Sequence, residues 1–228
     1  VSVLYCSASR RMPAGVNPHS NSEELRTAAD PLVNLASAVD RAANAVEVAL
    51  AAINEVAAAM EICTATYSPQ NPLHGGIREL KRVIVKAYES PAPGSNEHPA
   101  SISTFLSFVG ADCIEPLHRA AAHFRSSAKA KAELNSALAV HESDHQAVQA
   151  KVEQYSTKAK SLTESAKYNE YRESEARSRA EVDTARTAFQ TQLNAALRAK
   201  EVALCSCLRG MGEHFGGILG VLSDAMRC

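Results

Sequence analysis

The residues of this 228-residue chain best placed to do chemistry are His141-Glu142-Ser143-Asp144-His145. On a helix, histidines four apart share a face and can hold zinc, with the intervening glutamate as general base. The surroundings argue against that use. Both histidines fall at consecutive seam positions of a continuous heptad pattern, where they would face partner helices. No Gly-x-x-His continuation follows, the intervening Ser-Asp is more polar than zinc proteases usually carry, and no mixed α/β pattern flanks the motif. The expectation is a polar layer in a helical bundle, with His141, His145 and Lys131 fixing register at some loss of stability. No catalytic residue, metal or cofactor is implied, and the chain reads as a non-enzyme.

The six cysteines are Cys6, Cys63, Cys113, Cys205, Cys207 and Cys228, and none forms a Cys-x-x-Cys pair. Cys205 and Cys207, two apart on a helix, point to different faces and do not bridge. The pattern predicts reduced thiols in a cytosolic protein.

Two groups of bases suggest surface chemistry. In 77–88 (IRELKRVIVKAY), Ile77, Leu80, Ile84 and Tyr88 share one face, while Arg78, Lys81, Arg82 and Lys86 oppose only Glu79. Such a basic amphipathic helix either lies at a lipid headgroup boundary or packs on its own bundle. The second group is Lys151, Lys158, Lys160, Lys167, Arg172, Arg177 and Arg179, interleaved with Glu153, Glu164, Glu170, Glu173 and Glu175. A mixed run of this kind is ordinarily a solvated face with i,i+4 pairs. Lys81, Arg82 and Lys86 with the seven bases of the second group are the candidate lipid-binding set.

The elements that must position these residues are helical. Hydrophobic residues make up 46% of the chain but aromatics only 5%, with no Trp, and abundant alanine favours close-packed helices over β-sandwiches. A formal net charge of −1 argues against nucleic acid as a partner. Residues 1–22, with Pro13, Gly15 and Pro18, read as a flexible lead-in, and 23–228 as one helical domain. The apolar pattern running up to Cys228, and the start at Val1, lead us to expect an excerpt from a longer protein.

From Leu32 through Leu35, Val39, Ala42, Val46, Ala49, Ile53, Val56, Met60 and Cys63 the spacing alternates threes and fours, predicting a first helix over about 30–67 with Asp30 as N-cap. Residues 68–76 and 90–100 read as breakers, so that 68–100 is a loop insert carrying the short basic helix. A second helix is predicted from Ser101, kinked by Pro116. Its seam runs through Leu117, Phe124, Ala128, Lys131, Leu134, Leu138, His141, His145 and Val148 to Ala166. After a polar stretch at 165–178, a third carries Val182, Ala185, Phe189, Leu193, Ala196, Lys200, Leu204, Leu208, Met211, Phe215 and Ile218. Three antiparallel helices, the second and third roughly 75–95 Å long at helical rise, make an elongated three-helix coiled coil. Its apolar seams exceed what three helices cover, which predicts a homodimer.

Glu115-Pro116-Leu117 followed by Phe124, then Arg186-Thr187-Ala188-Phe189, then Lys200-Glu201 with Leu204, Leu208 and Phe215, resemble the BAR (Bin/amphiphysin/Rvs) superfamily, closest to the type found with PH and Arf-GAP domains. The resemblance covers roughly 101–228, and 23–67 by periodicity alone. It implies an all-α, antiparallel BAR-like homodimer and a non-enzymatic membrane-binding and curvature-sensing module of a trafficking protein acting in endocytosis or vesicle traffic. It further implies a cytoplasmic, peripheral location at anionic membranes, and partners among small GTPases or other trafficking proteins. Basic residues at the junction of the second and third helices would touch headgroups, at about 1 kcal/mol per near-surface charge. The alternative is a coiled-coil scaffold or adaptor that binds proteins without lipid contact.

Overall fold

Capping residues and prolines divide the chain into helices, and a computed structural model describes residues 21–68, 70–88, 101–157 and 165–225. The protein is all-α, with no strand among the described residues. The helices are α1 (Ser22–Thr27), α2 (Asp30–Thr64), α3 (Pro72–Tyr88), α4 (Ile102–Val109), α5 (Glu115–Thr157), α6 (Ala166–Gly210) and α7 (Gly216–Ala225). π-helical turns at Gly110–Ile114 and Met211–Phe215 join α4 to α5 and α6 to α7. None of the helices is long and apolar enough, over the described residues, to cross a membrane.

Local chemistry accounts for most boundaries. Asn21 and Glu24 form a reciprocal capping box for α1, with Glu24 N–H donating to Asn21 Oδ1 at 2.8 Å. Asp30 is the first residue of α2 rather than its N-cap, where Ala29 stands without a side-chain bond; Pro31 follows in the first turn. α3 begins at Pro72, earlier than the breaker-like PLHGG suggests, because proline fits a first helical turn. Ser101 caps α4 by accepting from Thr104 N–H at 3.2 Å.

Pro116 lacks the N–H that would meet the Asp112 carbonyl in an α-helix. The chain takes a π turn ahead of it, in which Glu115 N–H reaches back to Gly110 C=O. The polar stretch expected before the third helix is itself helical, since α6 opens at Ala166 behind Ser165. The stretch 158–164, through which the second seam was expected to run, lies outside the described residues, and Ala166 belongs to α6 rather than to the second helix.

Two units divide the chain, and α5 and α6 contribute to both. The first unit comprises residues up to Ala28 with His123–Leu197. Here α5 and α6 run antiparallel: along α5, Lys131, His141, His145 and Tyr155 meet Phe189, Ser178, Glu175 and Ser165 in falling order. Its core holds Leu25, Phe124, Leu134, Val148, Val182, Phe189 and Leu193, all buried. Leu138, expected in the seam, is instead 40% exposed.

The second unit comprises Ala29–Ala122 and residues from Arg198 onward. α2 buries Ala36, Ala43, Leu50, Ala57 and Thr64, an unbroken seven-residue repeat, together with Leu32 and Val39. The unit also buries Phe105, Val109, Cys113, Leu117, Ala203, Cys207 and Ile218, with Phe105 and Phe215 edge to face at 5.1 Å. Leu32, Val39, Leu117 and Ile218 are buried as the seams predict, but the later part of α2 and the end of α6 are out of phase by one residue. Ala49, Val56, Met60 and Cys63 face outward on α2, and Leu204 and Leu208 face outward on α6, while Ala57, Thr64, Ala203 and Cys207 point in. At 56/57, 203/204 and 207/208 the smaller residue of the two points in and the bulkier neighbour is turned outward, whereas at 49/50 it is Leu50 that is buried and Ala49 that is exposed.

Candidate functional site

α3 carries the first group of candidate bases. Its apolar face is packed: Ile77, Ile84 and Ala87 are buried within the second unit, while Leu73, Val85 and Tyr88 stay exposed. Lys81 reaches from α3 to α2 and bonds Glu61 Oε2 at 2.5 Å. That hydrogen bond and the lysine's charge hold the Glu61 carboxyl below the usual carboxylate range. Arg82 Nε donates to Glu79 Oε2 at 2.8 Å, lowering the glutamate and raising the guanidinium. Lys86 and Arg78 are exposed and form no ion pair among the described residues.

The second group does not make one basic face. Lys158 and Lys160 lie outside the described residues. Lys151 donates to Gln154 Oε1 at 2.8 Å on its own helix. Lys167, Arg172, Arg177 and Arg179 are all exposed on α6. At about 100° per residue, Arg172 and Arg179 share a side, whereas Lys167 and Arg177 each stand more than about 100° away from them. Glu173 and Glu181 flank Arg177 one turn either way, and Asp183 stands one turn beyond Arg179.

The histidine pair is committed elsewhere. His141 Nδ1 meets Ser178 Oγ at 3.2 Å, and His145 Nδ1 meets Glu175 Oε1 at 2.6 Å, both across to α6. Ser174 donates to Asp144 Oδ2 at 3.2 Å, while Glu142 accepts from Gln146 on the outer side of α5. No three His, Cys, Asp or Glu side chains converge among the described residues as a metal site would need. These contacts are polar cross-links between two helices, with His145 half exposed rather than sealed in a core.

Sequence reasoning missed two features of the second unit. One is a surface cleft of about 310 Å³, lined by Asp112, Arg119, Ser206, Arg209 and Glu213, whose two guanidiniums and two carboxylates leave no net sign for an ion. The other joins the two π turns: His214 Nε2 and Asp112 Oδ2 are 2.8 Å apart, and the imidazole stacks on Phe108 at 5.3 Å. Pro116 and the glycines at 210, 212, 216 and 217 were the only signals in the sequence that the backbone departs from α-helix here.

Part of the surface of this unit is apolar. Val48, Val56, Met60 and Ile62 are 69%, 52%, 48% and 77% exposed on α2, and Val202 and Leu208 are 64% and 75% exposed on α6. At about 100° per residue Ala45, Ala49, Val56, Met60 and Cys63 form a second stripe about a third of a turn from the buried one, while Val48, Ala52, Ala59 and Ile62 lie further round, on the side away from it. No protein-family model matches the chain, and no curated protein matches it.

Proposed function

We propose that the chain is a non-enzymatic homodimerisation module of BAR type, an antiparallel three-helix coiled coil in each copy, serving a membrane-trafficking protein. The observation that supports it most is the second apolar stripe of α2, with Val56 and Met60 about half exposed. Single exposed apolar residues are ordinary, but a stripe continued over five turns is an interface in waiting. A second copy offers the same stripe, and self-complementary pairing about a two-fold axis covers both.

Membrane binding is the further step that the resemblance implies. Its carriers would be the exposed bases Lys86, Lys167, Arg172, Arg177 and Arg179 and the half-buried Lys151, with Lys158 and Lys160, whereas Lys81 and Arg82 are already held by Glu61 and Glu79. That pairing, and the acids set between the α6 arginines, favour a second reading: a dimeric scaffold that binds proteins and not lipid.

Two measurements separate these readings. Sedimentation velocity is expected to give a dimer, and Val56→Asp with Met60→Asp a monomer of unchanged helical circular dichroism. A wild-type monomer overturns the proposal. Co-sedimentation with anionic and neutral liposomes at low salt then decides the lipid step; retention by neither leaves the scaffold reading in its place.

A further inference from the structure

The π turns bring together Cys113, Cys207 and Gly210, which the proposed function does not use. Cys113 is fully buried and Cys207 is 4% exposed. Cys113 Sγ lies 3.6 Å from the Cys207 carbonyl oxygen, so the two cysteines are direct neighbours between the turn before α5 and the end of α6. Cys207 and Gly210, three apart, share a face of α6. A Cβ at 210 would stand only 2.6 Å from Cys113 Sγ, so that sulfur fills the space beside the glycine and is held against α6. Cys63 and Cys205, by contrast, are exposed.

We propose that Cys113 and Cys207 form a dithiol–disulfide site, oxidised by a low-molecular-weight disulfide such as oxidised glutathione, that locks the turn before α5 to the end of α6. One cysteine thiolate attacks the reagent disulfide; its S–S bond breaks, and one reagent thiol leaves with the cysteine's proton. The second cysteine attacks the protein sulfur of the mixed disulfide, and the second reagent thiol leaves with the second proton. The protein thus loses two electrons and two protons, and the reagent disulfide becomes two thiols.

Burial governs the rate. It pushes the Cys113 thiol up to about 12 and the Cys207 thiol upward, so in the closed fold neither supplies the thiolate that exchange needs. Oxidation and reduction therefore wait on local opening around the π turns. The bond, once made, is shielded from reductants in the same way.

The test uses the full chain with Cys6, Cys63, Cys205 and Cys228 changed to serine, incubated with oxidised glutathione in mild denaturant and returned to buffer. The expected result is an intact mass lower by two hydrogens. The melting temperature should rise by about 10 °C, as for closing a loop of 94 residues, and fall back with dithiothreitol. Cys207→Ser in that background abolishes both changes. Should the serine variant not fold, wild-type chain with its exposed thiols first alkylated is oxidised and mapped for a peptide linking Cys113 to Cys207. A stable glutathione adduct on either cysteine, or two alkylatable thiols after oxidation, overturns the proposal.

Discussion

Adding one methyl group at Gly210 tests the packing between the π turns. A Cβ there meets Cys113 Sγ at 2.6 Å, Asp112 Cβ at 3.4 Å and His214 Cδ2 at 3.5 Å. The first contact is closer than real Cβ atoms come, and Cys113 has no solvent side into which its sulfur can swing. Overpacking of this kind costs about 1–3 kcal/mol, offset by the roughly 1 kcal/mol that alanine gains over glycine in a helix. Gly210→Ala should therefore lose up to about 2 kcal/mol, a fall of up to roughly 8 °C in melting temperature for a chain of this size, where Gly217→Ala gains. Gly217→Ala is the control: nothing lies within 4 Å of its Cβ, so it should stabilise by about 0.5–1 kcal/mol. Cys113→Ala removes the offending sulfur, and in that background Gly210→Ala should turn neutral or stabilising, a coupling of about 1–3 kcal/mol. Thermal and urea unfolding of the four-member cycle reads it. If Gly210→Ala raises the melting temperature as Gly217→Ala does, the close approach of Cys113 to α6 is wrong.

Glu61→Gln should flatten the acid limb of the stability curve: its carboxyl is depressed by Lys81, so the stabilisation is present above pH 4.5 and is lost as pH falls below it, as urea titrations at several pH values would read. At the alkaline end the sign reverses; Cys113 stays protonated to about 12 when folded but ionises near 9 when unfolded, so stability declines between those values, and Cys113→Ala should make that decline shallower. His141→Leu with His145→Leu should leave the helical circular dichroism intact, since only cross-links to Ser178 and Glu175 are lost, and the wild-type protein should carry no stoichiometric zinc by elemental analysis. Leu50→Asp, at a fully buried site on α2, should abolish cooperative melting, whereas Val56→Asp, on the exposed stripe, should not.

The long helices were legible because heptad spacing needs only apolar residues at regular intervals, and α2, α5 and α6 supply them. The phase was not. At 49/50, 56/57 and 63/64 on α2, and again at 203/204 and 207/208 on α6, two neighbouring residues are both eligible for the seam. Hydrophobicity ranks Val56 over Ala57 and Leu208 over Cys207, while packing selects the smaller residue at these two pairs; at 49/50 it is the larger Leu50 that is buried. The start of α3 was hidden by the double meaning of proline, a breaker inside a helix and a good first residue of one. π turns carry no residue preference strong enough to read, and Pro116 signalled a disturbance without saying which. The Lys81–Glu61 bond joins residues 20 apart across a turn, and only the packing of α3 brings them together.

The one-residue displacement on α2 has an energetic consequence. Rotating the helix by about 100° would bury Ala49, Val56, Met60 and Cys63, but it would expose Ala43, Leu50, Ala57 and Thr64 in exchange. Either phase leaves a continuous apolar stripe in water, with about 1.5–3 kcal/mol forgone for each large side chain that stays exposed. No rotation of α2 within a single copy resolves this, because the helix is apolar over a wider arc than its neighbours in the second unit cover. Glu61 then selects between the two phases, since it meets Lys81 of α3 only in the one observed. The large residues of that alternative phase left outside are Val56 and Met60. They gain most from being covered by another apolar surface, and the matching stripe of a second copy is the surface with the same length and the same repeat.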